Sequence, residues 1–304
     1  MERPLIIEVA INGLCGKSRN RHVPITADEI VKDALDCLNA GASIIHCHGS
    51  SMNIDSDEAF RQYSAMFEPI LKLHPDAHLY PTAIRGGTLT ERFAHFARLA
   101  ENGLITMGYM DPGTANILGE LDHRGRPFGG YAYTNSYDEC NEQLEWFSSN
   151  QVGPSLAIYE PGFLNLVLAY EKAGILPMGA FIKFYLAGDV NVATGGPTIP
   201  HGLPPTTLSL DALLAMLGSS EIPWGVGILG GDIGRSDVLG YALAKGGHVR
   251  LGLEDFGGDR TPRNVELVEE VVQQAARLGR RPATPSETAR ILRMPQNQHQ
   301  AAPA

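Results

Sequence analysis

Short apolar runs alternate with longer amphipathic stretches along the whole chain. Apolar runs of four to eight residues read as strands, and stretches with apolar positions every three or four residues read as helices. On this pattern strands are predicted at 5–11, 43–48, 78–82, 104–107, 155–158, 180–186, 223–227 and 248–253. Helices are predicted at 27–39, 57–73, 90–102, 141–150, 161–173, 210–217, 235–245 and 263–278, with a short one at 286–292. Thr26 reads as the N-cap of the first helix and Gly41 as its stop, and Thr88 or Thr90 as the cap of the third. Two long connections, 108–138 and 188–207, interrupt the rhythm; the first carries His123-Arg124-Gly125-Arg126-Pro127 and reads as a functional segment over a site.

Eight strands each followed by a helix predict an α/β chain folded as a (β/α)8 TIM barrel. No linker divides it, so residues 1–293 read as one domain and the Pro/Gln/Ala-rich residues 294–304 as a flexible tail. In such barrels chemistry sits at the C-terminal ends of the strands.

The second strand ends in His46-Cys47-His48. Side chains alternate along a strand, so the two imidazoles face one way and Cys47 the other. The eighth strand ends in Glu254-Asp255. Barrel closure puts these two strands on either side of the first, bringing His46, His48 and Glu254 together. Two histidines and a carboxylate form a catalytic zinc set with a coordination position left open; the bland alternative is two satisfied polar side chains at a strand end. Arg250 shares the face of Glu254, and a buried arginine needs a carboxylate partner, which Asp255 can supply.

Composition narrows the rest. The chain has 43% hydrophobic and 19% charged residues, with a net charge of −10 and no basic cluster, which argues against nucleic-acid binding. No run reaches the roughly 18 apolar residues of a membrane span. The opening Met1-Glu2-Arg3-Pro4 lacks a signal-peptide pattern. Four cysteines without a Cys-x-x-Cys pair predict a reducing, cytoplasmic location. Gly86 and Gly87, in Arg85-Gly86-Gly87-Thr88, could either hold an anion on their backbone N–H groups or make a tight turn. Arg124 and Arg126 could reach cofactor phosphates, although solvated loop charges are the commoner use. The remaining histidines, including His22, His74, His95, His123, His201 and His299, read as surface or loop residues.

The chain resembles the β-keto acid cleavage enzyme family over nearly its whole length. The resemblance is carried by Ala10-Ile11-Asn12-Gly13, Val23-Pro24-Ile25-Thr26, Ala40-Gly41-Ala42 leading into His46-x-His48, Gly113-Thr114-x-Asn116 and Arg281-Pro282-Ala283-Thr284-Pro285. Its most specific segment is 247–255, with Arg250-x-Gly252-x-Glu254-Asp255. The resemblance implies one zinc ion per chain on His46, His48 and Glu254, with acetyl-CoA as co-substrate. It implies conversion of a β-keto acid to acetoacetate and a new acyl-CoA by retro-Claisen cleavage, with Asp255 as base and Arg250 as its partner. Thr106 and Thr82, placed at the ends of strands four and three, are then candidate donors to an oxyanion or to the substrate carboxylate. Gly86, Gly87, Asn116 and Cys15 are candidate substrate contacts. A homo-oligomer, dimer or tetramer, is also implied.

The chain departs from the family at three places. His-Cys-His is followed by Gly49-Ser50-Ser51 rather than an Arg-Asp segment. Leu14-Cys15 stands where aminohexanoate enzymes carry a glutamate, so the side group of the keto acid is expected to be neutral or apolar. Strand five has Ser155 and Ala157 where the family carries two carboxylates. Two other readings compete: a zinc hydrolase of the amidohydrolase type, and a non-catalytic barrel that binds a small molecule.

Overall fold

The computed structural model describes residues 3–295. Eight parallel strands form the central sheet: β1 (Ile7–Ala10), β2 (Ile44–Cys47), β3 (His78–Pro81), β4 (Met107–Met110), β7 (Gly153–Ile158), β8 (Phe181–Ala187), β9 (Trp224–Leu229) and β10 (His248–Leu251). Their order is β3-β2-β1-β10-β9-β8-β7-β4. The two ends of this order meet at a seam, where His78 Nδ1 lies 2.9 Å from Thr106 Oγ1. The sheet is thus a nearly closed (β/α)8 barrel. Around it lie α1 (Ala27–Ala40), α2 (Ser56–Leu73), α3 (Leu89–Glu101), α4 (Tyr137–Asn150), α5 (Pro161–Ala173), α6 (Thr207–Leu217), α7 (Asp237–Ala244) and α8 (Asn264–Arg277).

Local sequence sets the helix ends. Thr26 and Thr88 cap α1 and α3 through capping boxes with Glu29 and Glu91, and Gly41 ends α1 with φ +118°. Apolar strand positions facing outward, among them Val9, Ile45, Leu79 and Met110, pack with the inner faces of the helices in one large core. A second cluster fills the lower barrel: Ile6, Ile44, Tyr80, Met107 and Phe181. The last helix, α9 (Pro285–Leu292), closes this end with Leu292 and Met294. Each such side chain contributes about 1.5–3 kcal/mol by leaving water. Met294, placed by its sequence in the tail, therefore belongs to the barrel; residues 296–304 lie outside the described residues.

Two elements differ from the sequence pattern. Strand four begins at Met107 rather than at 104, because the Leu104 N–H closes the end of α3 on Leu99 O, and the ladder to β7 starts at the pair Met107 and Gly153. The expected loop 108–138 holds the rest of β4, the first turn of α4 and an antiparallel hairpin, β5 (Ala115–Leu121) with β6 (Pro127–Tyr133). The hairpin leans on the connection after β8, where the Thr198 hydroxyl donates to Gly119 O and Asn191 Nδ2 to Leu118 O. No helix among the described residues is long and apolar enough to cross a membrane.

Candidate metal centre and its carboxylate network

β2 and β10 flank β1, with Ala10 beside His46 and Val9 beside Leu251. This brings the ends of the two strands together. His46 Nε2 lies 3.4 Å and His48 Nε2 3.6 Å from Glu254 Oε2. In a tetrahedral zinc site with bonds of about 2.0–2.1 Å, ligand atoms stand roughly 3.3–3.5 Å apart. Glu254 Oε2 is buried without a hydrogen-bond partner, which is costly unless something positive occupies the space it faces. Burial, aided by the nearby charge of Arg250, pushes the His48 pKa down to about 4. Burial, with His48, Arg250 and Lys183 adding, also holds His46 well below its usual value. Both imidazoles are therefore neutral at neutral pH, the form that ligates a metal. These three residues are the group among the described residues whose donor atoms lie close enough together to hold a metal ion, and a set of two imidazoles and a carboxylate fits zinc.

The surroundings fix each ligand. His46 Nδ1 lies 3.2 Å from Tyr80 O, so a proton on Nδ1 leaves Nε2 free, and the ring stacks on Tyr80 at 4.4 Å. Asn12 holds the backbone of His48 from both sides: its Oδ1 accepts the His48 N–H at 2.8 Å and its Nδ2 donates to His48 O at 3.0 Å. Gly13 has φ +57°, and a Cβ there would sit 2.2 Å from Glu254 Cγ, so glycine is what lets the carboxylate reach the site. Cys47 points to the opposite face, into the core between strands and helices. All four cysteines are free and buried.

Below the histidines lies a buried charge network. Arg250 donates from Nε to Asp255 Oδ2 at 2.8 Å, and from Nη2 to Asp255 Oδ1 at 3.3 Å and Glu254 Oε1 at 3.1 Å. Its Nη1 donates to Glu8 Oε1 at 2.7 Å and to the Tyr80 hydroxyl at 3.0 Å. Lys183 Nζ donates to the same Glu8 oxygen at 3.3 Å, and Tyr80 and Ser155 also donate to Glu8. Burial alone would raise the Glu8 pKa, but the charges of Lys183 and Arg250 outweigh it and hold the carboxyl below its usual range. Burial raises the Asp255 and Glu254 pKa values, and Arg250 opposes the rise. The expected Arg250–Asp255 pair is present. Glu8 and Lys183 were missed, although each is a charged residue inside an apolar strand run, the pattern that signals a buried ion pair.

Several expected contacts are placed elsewhere. Thr106 precedes β4 and bonds to His78 at the N-terminal end of the barrel, opposite the metal cluster; this corrects its placement at the end of strand four. Asn116 is exposed on the hairpin, paired with Ala132. Cys15 is buried, at 9% exposure, and belongs to the large apolar core cluster. At Gly86 and Gly87 neither proposed role applies as stated: the backbone N–H groups of Gly87 and Thr88 hold the Glu91 carboxylate at 2.8 and 3.0 Å, and neither glycine has a positive φ. Thr82 lies one residue past β3, on the side of His78 and Tyr80, and remains at the mouth. His95 is buried on α3, not on the surface, and its Nε2 bonds to Thr82 O at 2.9 Å. A surface concavity of about 940 Å3 lies between the C-terminal ends of α4 and α5 and shares no residue with the His46–His48–Glu254 cluster.

Barrel and cluster together define a (β/α)8 protein with a candidate metal site at the C-terminal strand ends. Comparison of the sequence then specifies the kind. The chain belongs to the beta-keto acid cleavage enzyme family, whose sequence model matches residues 4–294. It is 28% identical over 300 residues to a 3-keto-5-aminohexanoate cleavage enzyme of Fusobacterium nucleatum, covering 96% of this chain and 98% of the relative. It is 25% identical over 323 residues to a 3-dehydrocarnitine:acetyl-CoA trimethylamine transferase of Rhizobium meliloti, covering 97% and 98%. Among solved structures, apo ObcA shares the fold with a TM-score of 0.65 at 18% identity, over 90% of this chain and 66% of ObcA.

Proposed function

We propose that this enzyme converts a β-keto acid and acetyl-CoA to acetoacetate and a new acyl-CoA, with a zinc ion held by His46, His48 and Glu254. The observation that carries the reading is the convergence of the two imidazoles, His46 and His48, on the unpartnered Glu254 Oε2, beside the buried Arg250–Asp255 pair, in a chain of this family. When bound, the metal supplies Lewis acidity toward the keto and carboxylate oxygens of the substrate.

The protein's own groups then have distinct tasks. Asp255 takes the proton from the methylene between the two carbonyl groups, and its raised pKa makes it a stronger base. Arg250 orients that carboxylate through two bonds and keeps its charge compensated before and after the transfer. The carbanion attacks the acetyl-CoA thioester carbonyl, joining the acetyl group to the substrate and expelling CoA as its thiolate. The thiolate adds to the substrate's own keto carbon, the C–C bond breaks to leave the new thioester, and the released carbon takes the proton back from Asp255 to give acetoacetate. Thr82, at the mouth, is placed to donate to the substrate carboxylate. The two relatives, one a 3-keto-5-aminohexanoate cleavage enzyme and the other a 3-dehydrocarnitine:acetyl-CoA trimethylamine transferase, support this substrate pair. A homo-oligomeric state goes with the proposal.

The hydrolase alternative lacks its ligands, because the His-x-His pair is on the second strand and neither β7 nor β8 carries a histidine. The test is mass spectrometry of CoA products after the zinc-loaded protein meets acetyl-CoA and a panel of β-keto acids. A new acyl-CoA with acetoacetate, lost in His46→Ala and Glu254→Ala together with bound zinc, is expected. No new thioester from cationic, neutral or anionic keto acids overturns the reading.

A further inference from the structure

Two backbone segments at the mouth matter to the proposed reaction: the end of β2, with the ligand His48, and Thr82, one residue past β3. Asn12 holds both backbone groups of His48. Thr82 is held in the same two-sided way, from two helices. The Tyr63 hydroxyl oxygen, on α2, accepts the Thr82 N–H at 3.3 Å, and His95 Nε2, on α3, lies 2.9 Å from Thr82 O. The same Tyr63 oxygen accepts the Gly49 N–H at 2.9 Å, one residue past His48. A single phenol oxygen therefore joins the segment of the metal ligand to the segment of Thr82. Both bonds to Thr82 engage its backbone and leave its side chain to the mouth.

Tyr63 lies on the buried face of α2 with Met66, Phe67 and Ile70, in the half of the helix nearer the mouth. Tyr63 is 2% exposed and His95 fully buried. Phenylalanine and leucine would fill these core positions without a polar atom to satisfy, so what the phenol and the imidazole add is their bonds. The two rings stack at 5.5 Å and 19°, so each helps to fix the other. Burial pushes the His95 pKa down to about 4, so the ring is neutral and its one proton, on Nε2, goes to Thr82 O. Nδ1 is left buried without a partner, a cost that only the bond to Thr82 offsets. The two mouth segments are also tied by the Arg85 N–H, which donates to Met52 O at 2.8 Å.

We propose that Tyr63 and His95 are positioning residues, which set the distance between the His48 segment of the metal cluster and Thr82, the group placed to donate to the substrate carboxylate. This rests on the keto acid reading above. Neither residue touches substrate; both act through the Thr82 backbone, and Tyr63 through Gly49 as well. A keto acid held at the metal cluster reaches Thr82 only while that distance is kept, and a misplacement of about 1 Å in such an arrangement can cost roughly 100-fold.

The test uses the zinc-loaded wild type with Tyr63→Phe, His95→Leu and His95→Gln, the last keeping an N–H that can reach Thr82 O. Tyr63→Phe and His95→Leu are expected to raise KM for the keto acid at least fivefold. KM for acetyl-CoA should stay within twofold and bound zinc at the wild-type level, while His95→Gln returns the keto acid KM to within twofold of the wild type. Amide hydrogen exchange in Tyr63→Phe is expected to quicken at least tenfold at Gly49 and Thr82 and not along the rest of β2 and β3. An unchanged keto acid KM, a fall in kcat alone, or no rescue by His95→Gln overturns the proposal. If His95→Leu does not fold, Tyr63→Phe, which alters one atom of the core, carries the comparison. If the wild type yields no new thioester, the cleavage reading fails, and hydrogen exchange then decides the positioning role separately. Faster exchange confined to Gly49 and Thr82 supports it; unchanged exchange at both overturns it.

Discussion

Glu8→Gln keeps the shape of the side chain and removes one charge from the centre of the barrel. Glu8 is fully buried and accepts from Arg250 at 2.7 Å, from Lys183 at 3.3 Å, from Ser155 at 3.4 Å and from Tyr80. Arg250 retains Asp255 and Glu254 after the change, but Glu8 is the carboxylate paired with Lys183, which is 2% exposed. Removing one partner of a buried ion pair costs about 3–5 kcal/mol, because the other charge stays behind uncompensated. Lys183, whose ammonium is already disfavoured by burial, relieves part of this by losing its proton. A loss near the lower bound, about 3 kcal/mol, is therefore expected. That is a large part of a typical domain's stability of about 5–15 kcal/mol. Urea unfolding of the chelator-treated protein, followed by circular dichroism, measures the loss without a contribution from bound metal. Adding Lys183→Met to Glu8→Gln removes the stranded charge and should recover more than about 1 kcal/mol. A single-variant loss below about 1 kcal/mol, or no recovery in the double variant, would refute the network as the support of the barrel centre.

Two further outcomes follow from the same geometry. Asn12→Ala frees both backbone groups of His48 and should weaken zinc binding by about 10–100-fold in a chelator competition, whereas unchanged affinity would show that the strand alone orients the ligand. Asp33 is half-buried against Asn264, and burial raises its pKa to about 6 even though the Asn264 bond lowers it. The folded state thus holds this proton more tightly than the unfolded one; the stabilisation is complete below about pH 4 and lost as pH rises through about 6. Asp33→Asn should flatten the Tm profile over that range, and an unchanged slope would remove Asp33 as its source.

Much of the architecture is encoded locally. The His46–His48 parity, the capping boxes at Thr26 and Thr88, the stop at Gly41 and the order of strands and helices each depend on residues within a few positions of one another. Barrel closure then follows from the alternation of strand and helix, and with it the meeting of His46, His48 and Glu254 across β1. The start of β4 was misread because Leu104 and Ile105 are apolar in a strand-like run, while the Leu104 backbone is held by the preceding helix. That displacement of three residues moved Thr106 to the far end of the barrel. Gly87 offered an anion site whose anion is the chain's own Glu91. The joint contact of Glu8 with Arg250 and Lys183 depends on register across strands up to 242 positions apart. Periodicity is a property of neighbouring residues and can be read along the chain; which charges share the barrel interior is set by closure, and the tertiary structure alone decides it.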